Sequence, residues 1–234
     1  MNAKQLTGRI AAEQIRMMAV PRPPAGIVER FMALDDPTGI VSDVMDELGI
    51  PSGVIGASVL KPTISGVTMV GPALEAARAH VNRMAEFEAH NLALPGDVLV
   101  IQGVANISNM GGISAQTGKR QGEKGAIVMG GVRDIAHSRS IGYPVWASDT
   151  TPVTGKWRIE TIEINGPVQI GDIRVMPGDL IVADDSGVCF VPRDFMREVL
   201  EASERKATAE QVRCKAIEDG ISVPDIANAR YGEK

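Results

Sequence analysis

The middle of the chain most constrains the fold. "VLVIQG" at 98–103 is a short unbroken apolar run, "GISAQTGKRQG" at 112–122 is polar and helix-like, and "GAIVMGG" at 125–131 is a second apolar run. "IAHSRSIG" and "YPVWAS" repeat the helix and the strand. Apolar runs of this length, bounded by Gly and Pro, read as strands buried on both faces. A β-α-β-α-β order implies parallel pairing through right-handed crossovers, hence an α/β fold. Upstream, "TMVGPALEAA" reads as a strand interrupted by Gly-Pro, and "NRMAEFEAHNLAL" as a helix. Residues 153–192 change character. "IETIEINGPVQIGDIRVMPGDLIVADDSGVCFVP" breaks into short strands at Gly, Asn-Gly and Pro-Gly turns, which predicts antiparallel structure.

The flanks read as helical. "LTGRIAAEQIRMMAV" spaces Ile10, Ile15 and Met18 among charges, and "PRPP" stops it. "GIVERFMALD" is a second short helix. A third is expected from Ser42, as N-cap, to Gly49, with Val44, Met45 and Leu48 inward and Asp43 and Asp46 in solvent. A long helix over 193–220 ends at Gly220. The expected division is a helical extension at 1–34, a main domain at 35–220 and an arm at 221–234.

Composition narrows the function classes. The net charge of −5 argues against a nucleic-acid partner held by phosphate attraction. Aromatics are 3% of the chain, so its core must be built from aliphatic residues. No run is long enough to cross a membrane, and a cytoplasmic protein is the default. Cys189 and Cys214 match no metal or redox spacing, and Cys189 sits in an apolar run as a small core residue. His80, His90 and His137 form no zinc pattern. "PGDVLVI" and "PGDLIVA" echo each other as tight turns feeding buried strands.

Two stretches could carry chemistry. "GISAQTGKRQG" fails as a P-loop, because the glycine spacing is one residue too long and Lys119 is followed by Arg120. Gly111 and Gly112 nevertheless open a helix, whose first amides and dipole suit a carboxylate or phosphate; a plain glycine turn is the alternative. Arg133 and Asp134 adjoin where "GAIVMGGV" ends. Asp134 could simply cap the next helix. Alternatively, an Asp at a parallel strand end takes a hard cation and the Arg faces an oxyanion. "TTPVTGKWRIE" places Lys156 and Arg158 around Trp157, either as a solvated hairpin or as a basic lid for a second carboxylate.

"GGVRD", "GYPVWA" and "PGDLIVADDSGVCFVP", in this order and spacing, resemble the family joining the regulator of RNase E activity A to the class II pyruvate aldolases. Those aldolases act on 4-hydroxy-4-methyl-2-oxoglutarate and 4-carboxy-4-hydroxy-2-oxoadipate. The resemblance covers roughly residues 35–215. It implies an α-β-β-α sandwich of the swivelling β/β/α type, assembled as a homotrimer or homohexamer. It implies Mg2+ or Mn2+ anchored by Asp134, Arg133 on the oxygens of a small 2-oxo acid, and the helix start at Gly111, Gly112, Ile113 and Ser114 on the pyruvate carboxylate. It further implies a Glu from a neighbouring subunit, with Glu210 the best match and Glu204 the fallback. Oxaloacetate decarboxylation is an expected side activity. One departure stands out. Gly112 occupies the position where family aldolases carry an acid, so the proton-transfer base is unassigned. Non-catalytic regulators of the family tend to lack the Asp after the Arg; Asp134 therefore favours an enzyme. A protein-binding regulator and a metal-dependent sugar-acid dehydratase are the alternatives.

Overall fold

In the computed structural model the described residues are 4–51, 53–79 and 86–229. Helices α1 (Ile27–Met32) and α2 (Pro37–Glu47) lead into strands β1 (Val54–Gly56), β2 (Lys61–Pro62) and β3 (Met69–Ala79). Then follow α3 (Glu86–Leu92), β4 (Val98–Gln102), β5 (Ser108–Met110), α4 (Gly112–Gln121), β6 (Gly125–Val132), α5 (Ile135–Ser140) and β7 (Val145–Thr150). The remainder is β8 (Glu160–Ile164), β9 (Val168–Ile170), β10 (Ile173–Val175), β11 (Leu180–Ala183), β12 (Gly187–Val191), α6 (Met196–Glu218) and α7 (Val223–Asn228).

The β-α-β-α-β expectation holds. β3, β4, β6 and β7 pair in parallel in that order, with Ala73 opposite Val98, Val98 opposite Gly125 and Ala126 opposite Val145. The later strands pair antiparallel, β11 with β12 and β9 with β10. Side-chain alternation sorts the core into three slabs. Leu99, Ile101, Ala126, Val128 and Val145 pack with Ala89, Leu92 and Ala115 of α3 and α4. Val98, Val100, Ile127 and Trp146 point the other way and meet Ile181, Val188 and Phe190. Leu180, Val182, Cys189 and Val191 then face Phe31, Val41, Met45, Met196 and Leu200 of α1, α2 and α6. Helix, sheet, sheet and helix are thus stacked with an apolar slab at each joint, an α-β-β-α sandwich.

Three expectations need correction. Gly71-Pro72 does not interrupt β3. Residues 69–72 pair with β11 and residues 73–77 with β4, so the strand passes from one sheet to the other at this dipeptide. The neighbouring Ala73 donates to the Asp179 carbonyl at 2.8 Å, and β4 begins pairing only at Ala73, so Pro72 forfeits no ladder bond. Gly71 is needed because a Cβ there would lie 2.3 Å from the Gly96 carbonyl.

Residues 4–20 are not a helix beyond a 3-10 turn at Ala12–Gln14. Ile10, Ile15 and Val20 are all buried in the slab under α3 and α4, and Arg16 N–H donates to the Ile164 carbonyl at 2.9 Å. A spacing of five matches neither the helical nor the strand period, so the segment runs as an irregular strap, and packing on the sheet edge overrides the weak helical pattern. α2 starts at Pro37 after Asp36, not at Ser42, because Pro fits the first helical turn; Leu48 lies past its end and is exposed. The arm beyond 220 contains α7, capped by Ser222, whose Oγ accepts from the Asp225 amide. Of the helix expected over 82–94, residues 82–85 lie outside the described residues, as does His80.

The echoed Pro-Gly-Asp turns share one design. Asp97 accepts from the Leu94 amide and Asp179 from the Met176 amide, each at 2.8 Å, with Gly96 and Gly178 at positive φ. Both cysteines are free. Burial pushes the Cys189 thiol up to about 12, so it stays a protonated core group.

Glu75 on β3 is fully buried, and neither carboxylate oxygen has a hydrogen-bond partner. Burial raises its pKa well above the usual carboxylate range, and the nearby Asp179 adds to the rise. The folded chain therefore holds this proton more tightly than the unfolded one. Its contribution to stability is full below the ordinary Glu value and declines as pH rises toward the folded value. Urea denaturation of Glu75→Gln at pH 5 and pH 8 should show a smaller loss across that interval than the natural chain shows. An equal loss in both proteins would contradict this origin.

Candidate active site

Parallel sheets gather ligand sites at the carboxyl ends of their strands. Here a cleft of ≈390 Å³ opens at the end of β6, beside the start of α4. Val132 ends β6, and Arg133 and Asp134 follow into the cleft wall. Asp134 occupies the N-cap position of α5 with φ 56°, ψ 38°, and its side chain makes no capping bond to that helix. The left-handed backbone costs on the order of 1 kcal/mol for a non-glycine residue. It directs the carboxylate to the neighbouring helix, where Oδ2 accepts from the Gly112 amide at 3.0 Å. The simple capping alternative is thus replaced by a cross-link between α5 and α4.

Arg133 Nε lies 3.6 Å from Asp134 Oδ2, too far for a hydrogen bond but close enough for charge attraction. Among the described residues, the Arg133 guanidinium makes no hydrogen bond. Its backbone is tied down by a 3.1 Å bond from its amide to the Met110 carbonyl. The pair is half-exposed, so its cation and anion both face the cleft. Gly111 and Gly112 allow this approach. A Cβ on Gly111 would lie 2.9 Å from Asp134 Oδ2 and 3.2 Å from Arg133 Nε, and one on Gly112 would lie 3.0 Å from His137 Cδ2.

The first turn of α4 has amides without intrahelical partners. That of Gly112 goes to Asp134; those of Ile113 and Ser114 remain at the cleft. The Ile113 side chain is exposed at the rim. Ser114, nearly buried where it lines the cleft, has its Oγ 2.8 Å from His90 Nε2. His90 Nδ1 lies 2.8 Å from Glu123 Oε1, and the Tyr143 hydroxyl donates to Glu123 Oε2 at 2.6 Å. Ser114, His90, Glu123 and Tyr143 are all buried. Nothing in the sequence spacing singled out this line of groups, because α3, α4 and the ends of two later segments supply one member each.

The opposite wall is basic. Lys156 and Trp157 line it, together with Arg9 from the N-terminal strap. Arg158 does not reach the cleft; its Nη1 donates to the Thr154 carbonyl at 3.1 Å within its own turn. Arg9 was hidden in the sequence because its segment reads as a surface helix. His137 sits outside the lining, exposed and 3.2 Å from Gln116 Oε1.

A family model described as RraA-like, Aldolase/RraA, matches residues 38–190. The chain belongs to the RraA-like family. A Halalkalibacterium halodurans protein named "Putative 4-hydroxy-4-methyl-2-oxoglutarate aldolase" is 31% identical over 187 residues, covering 79% of this chain and 86% of that one. Among solved structures, an uncharacterized protein of Pseudomonas syringae matches with a TM-score of 0.79 at 25% identity, covering 88% of this chain and 99% of the other. Streptomyces coelicolor RraAS2, described as an unusual member of the RNase ES inhibitor RraA protein family, matches with a TM-score of 0.73 at 27% identity, covering 82% and 97%.

For an RraA-like chain, the glycine at 112 has a structural consequence. It brings the helix start against Asp134, and a larger residue would require His137 to yield. Glu210 is not brought to the cleft of its own chain. It lies exposed on α6, lining a separate groove with Arg30, Leu34, Ile40 and Cys214. Glu204 is held in a two-pronged pair with Arg30, which lowers its carboxyl pKa. Gly111→Ala should push Asp134 and Arg133 apart with little effect elsewhere. Calorimetric titration with oxalate should show affinity reduced at least about tenfold, roughly 1.4 kcal/mol, while circular dichroism stays unchanged.

Proposed function

We propose that this RraA-like protein is a divalent-metal-dependent lyase that cleaves a 4-hydroxy-2-oxo acid to pyruvate, with oxaloacetate decarboxylation as a side activity. The observation that carries the reading is the Arg133–Asp134 pair set in one cleft with Ile113 and Ser114, whose amides have no partner among the described residues. The name borne by the Halalkalibacterium relative supports the substrate class.

Asp134 is the candidate ligand for Mg2+ or Mn2+. Among the described residues no group of three or more His, Cys, Asp or Glu side chains could hold a metal. The single carboxylate of Asp134 in the cleft fits an ion of the Mg2+ type, which keeps several waters and takes one or two carboxylates plus substrate oxygens. Asp134 would hold the ion through the oxygen not bonded to Gly112. When bound, the ion supplies a Lewis acid that polarises the substrate carbonyl.

The chain's own residues do the rest. The Ile113 and Ser114 amides bind the carboxylate of the 2-oxo acid at the positive end of α4. Arg133 presents a planar fork to the keto-acid oxygens, where negative charge develops as the C3–C4 bond breaks. Arg9 and Lys156 across the cleft attract a distal carboxylate, and Trp157 covers the mouth. A neighbouring subunit in a homotrimer or homohexamer brings Glu210 to the same site.

A protein-binding regulator is the second reading, favoured by the likeness to RraAS2. Pyruvate release from a panel of 4-hydroxy-2-oxo acids with Mg2+ or Mn2+ separates the two. Absence of turnover on every member would remove the lyase reading.

Three outcomes are expected. Asp134→Ala should abolish the Mn2+ isotherm in calorimetry while the protein stays folded; unchanged binding would refute the metal assignment. Arg133→Lys keeps the charge but loses the fork, and oxaloacetate turnover should drop at least about tenfold, roughly 1.4 kcal/mol of transition-state stabilisation. Mixing inactive Asp134→Ala with inactive Glu210→Ala and allowing subunit exchange should restore part of the activity. A fully active Glu210→Ala protein would eliminate the shared site.

A further inference from the structure

Among the described residues the cleft lacks an evident base. Asp134 is its only carboxylate among the described lining residues, and Gly112 carries no side chain. Three lining residues bear hydroxyls. The Ser108 hydroxyl donates to the Met110 carbonyl at 2.8 Å, and Thr154 Oγ1 accepts from the Lys156 amide at 3.2 Å. Only Ser114 is backed by a titratable group, His90 at 2.8 Å.

The hydrogen-bond directions follow from the far end of the line. The Tyr143 hydroxyl donates to Glu123 Oε2 at 2.6 Å. Burial raises the Tyr143 pKa well above its usual value, which keeps it a donor. Glu123 Oε2 already accepts from Tyr143, and with Oε1 accepting as well the proton of His90 sits on Nδ1. Nε2 is then left with its lone pair toward Ser114, and the Ser114 hydroxyl must donate to it. Gly118, one turn after Ser114, makes room for this arrangement: a Cβ there would lie 2.3 Å from Glu123 Oε2 and 2.7 Å from the Tyr143 hydroxyl oxygen. The line is a built feature of α4 and not an isolated buried histidine.

The geometry points to Ser114 as the group that takes the C4 hydroxyl proton of the substrate, with His90 and Glu123 as the positioning residues that make it basic. This role rests on the lyase reading above. In the cleavage step the C4 hydroxyl proton passes to Ser114 Oγ, and the serine's own proton passes to His90 Nε2. The C3–C4 electron pair moves to the pyruvate enolate, and C4 becomes a carbonyl. His90, now an imidazolium paired with Glu123, returns its proton through Ser114 to C3. Pyruvate leaves, and serine and histidine regain their starting forms. The line thus supplies the proton traffic that a side-chain acid at position 112 would otherwise carry.

Two measurements on the full chain test this. The first is independent of turnover. Nitrogen-15 histidine spectra at pH 8, assigned by His80→Gln and His137→Gln, should show His90 as the Nδ1–H tautomer, shifting when Glu123→Gln is introduced. An Nε2–H tautomer would overturn the assignment, because such a histidine cannot accept from Ser114. The second is kinetic, with 4-hydroxy-4-methyl-2-oxoglutarate and oxaloacetate as substrates and Mg2+ present. Retro-aldol cleavage requires loss of a hydroxyl proton, whereas decarboxylation does not. Ser114→Ala should therefore reduce kcat for the aldol substrate at least about 100-fold, the scale of general-base catalysis. Its decarboxylation-to-cleavage ratio should rise at least about tenfold. A Ser114→Ala protein that cleaves within threefold of the natural chain overturns the relay but leaves the lyase reading intact. A natural chain that turns over neither substrate removes the lyase reading, and the relay with it.

Discussion

Everything in this molecule hangs on β3. One strand pairs with β11 through its first four residues and with β4 through the next five, so the two sheets share a continuous backbone. Its side chains enter all three apolar slabs. Val70 faces the α1, α2 and α6 layer, Met69 and Ala73 face the space between the sheets, and Leu74 faces α3 and α4. Gly71 lets the turn before β4 come close, and Pro72 occupies the point where no ladder bond is required. The transfer fixes where β4 begins. Parallel pairing then fixes β6 against β4, and hence the height at which Arg133 and Asp134 emerge.

The site inherits this rigidity. Asp134 is held in a left-handed conformation that local energetics disfavour, by a strand on one side and a helix start on the other. Strain of this kind persists where the surrounding structure dictates it, and it often accompanies function. Its effect is to use one α4 amide as a clamp for the carboxylate while leaving two for a ligand. The two glycines before the helix serve the same contact, since either Cβ would crowd the pair or its neighbour His137. Placing positive and negative groups side by side at one strand end suits a ligand whose own oxygens can bridge an arginine and a cation.

The layer beneath α4 gives the same helix a second use. Ser114 and Gly118 lie one turn apart on its buried face. One contributes a hydroxyl to His90 and the other the space that Glu123 and Tyr143 fill. Burying four polar side chains is tolerable only when each has a partner, and here each has one. Glu75, a few strands away, has none and holds its proton instead. The contrast shows two responses to the same desolvation: pairing where the groups line up, and protonation where they do not.

The sequence by itself determined the alternation of buried strands and helices, the antiparallel second half, the turn glycines and the adjacency of Arg133 and Asp134. These are local facts: period, turn chemistry and nearest neighbours are written in consecutive residues. The glycine helix start beside that pair was legible too, through the resemblance to the RraA-like family. Tertiary structure alone decided the rest. It turned Ile10, Ile15 and Val20 into a strap and carried Arg9 to the cleft. It moved the start of α2 to Pro37 and left Arg158 outside. It also aligned Ser114 with His90, Glu123 and Tyr143, a line whose bonded partners are separated by up to thirty-three positions. Such contacts depend on how sheets stack and where a strand changes partners, and no spacing along a single chain encodes them.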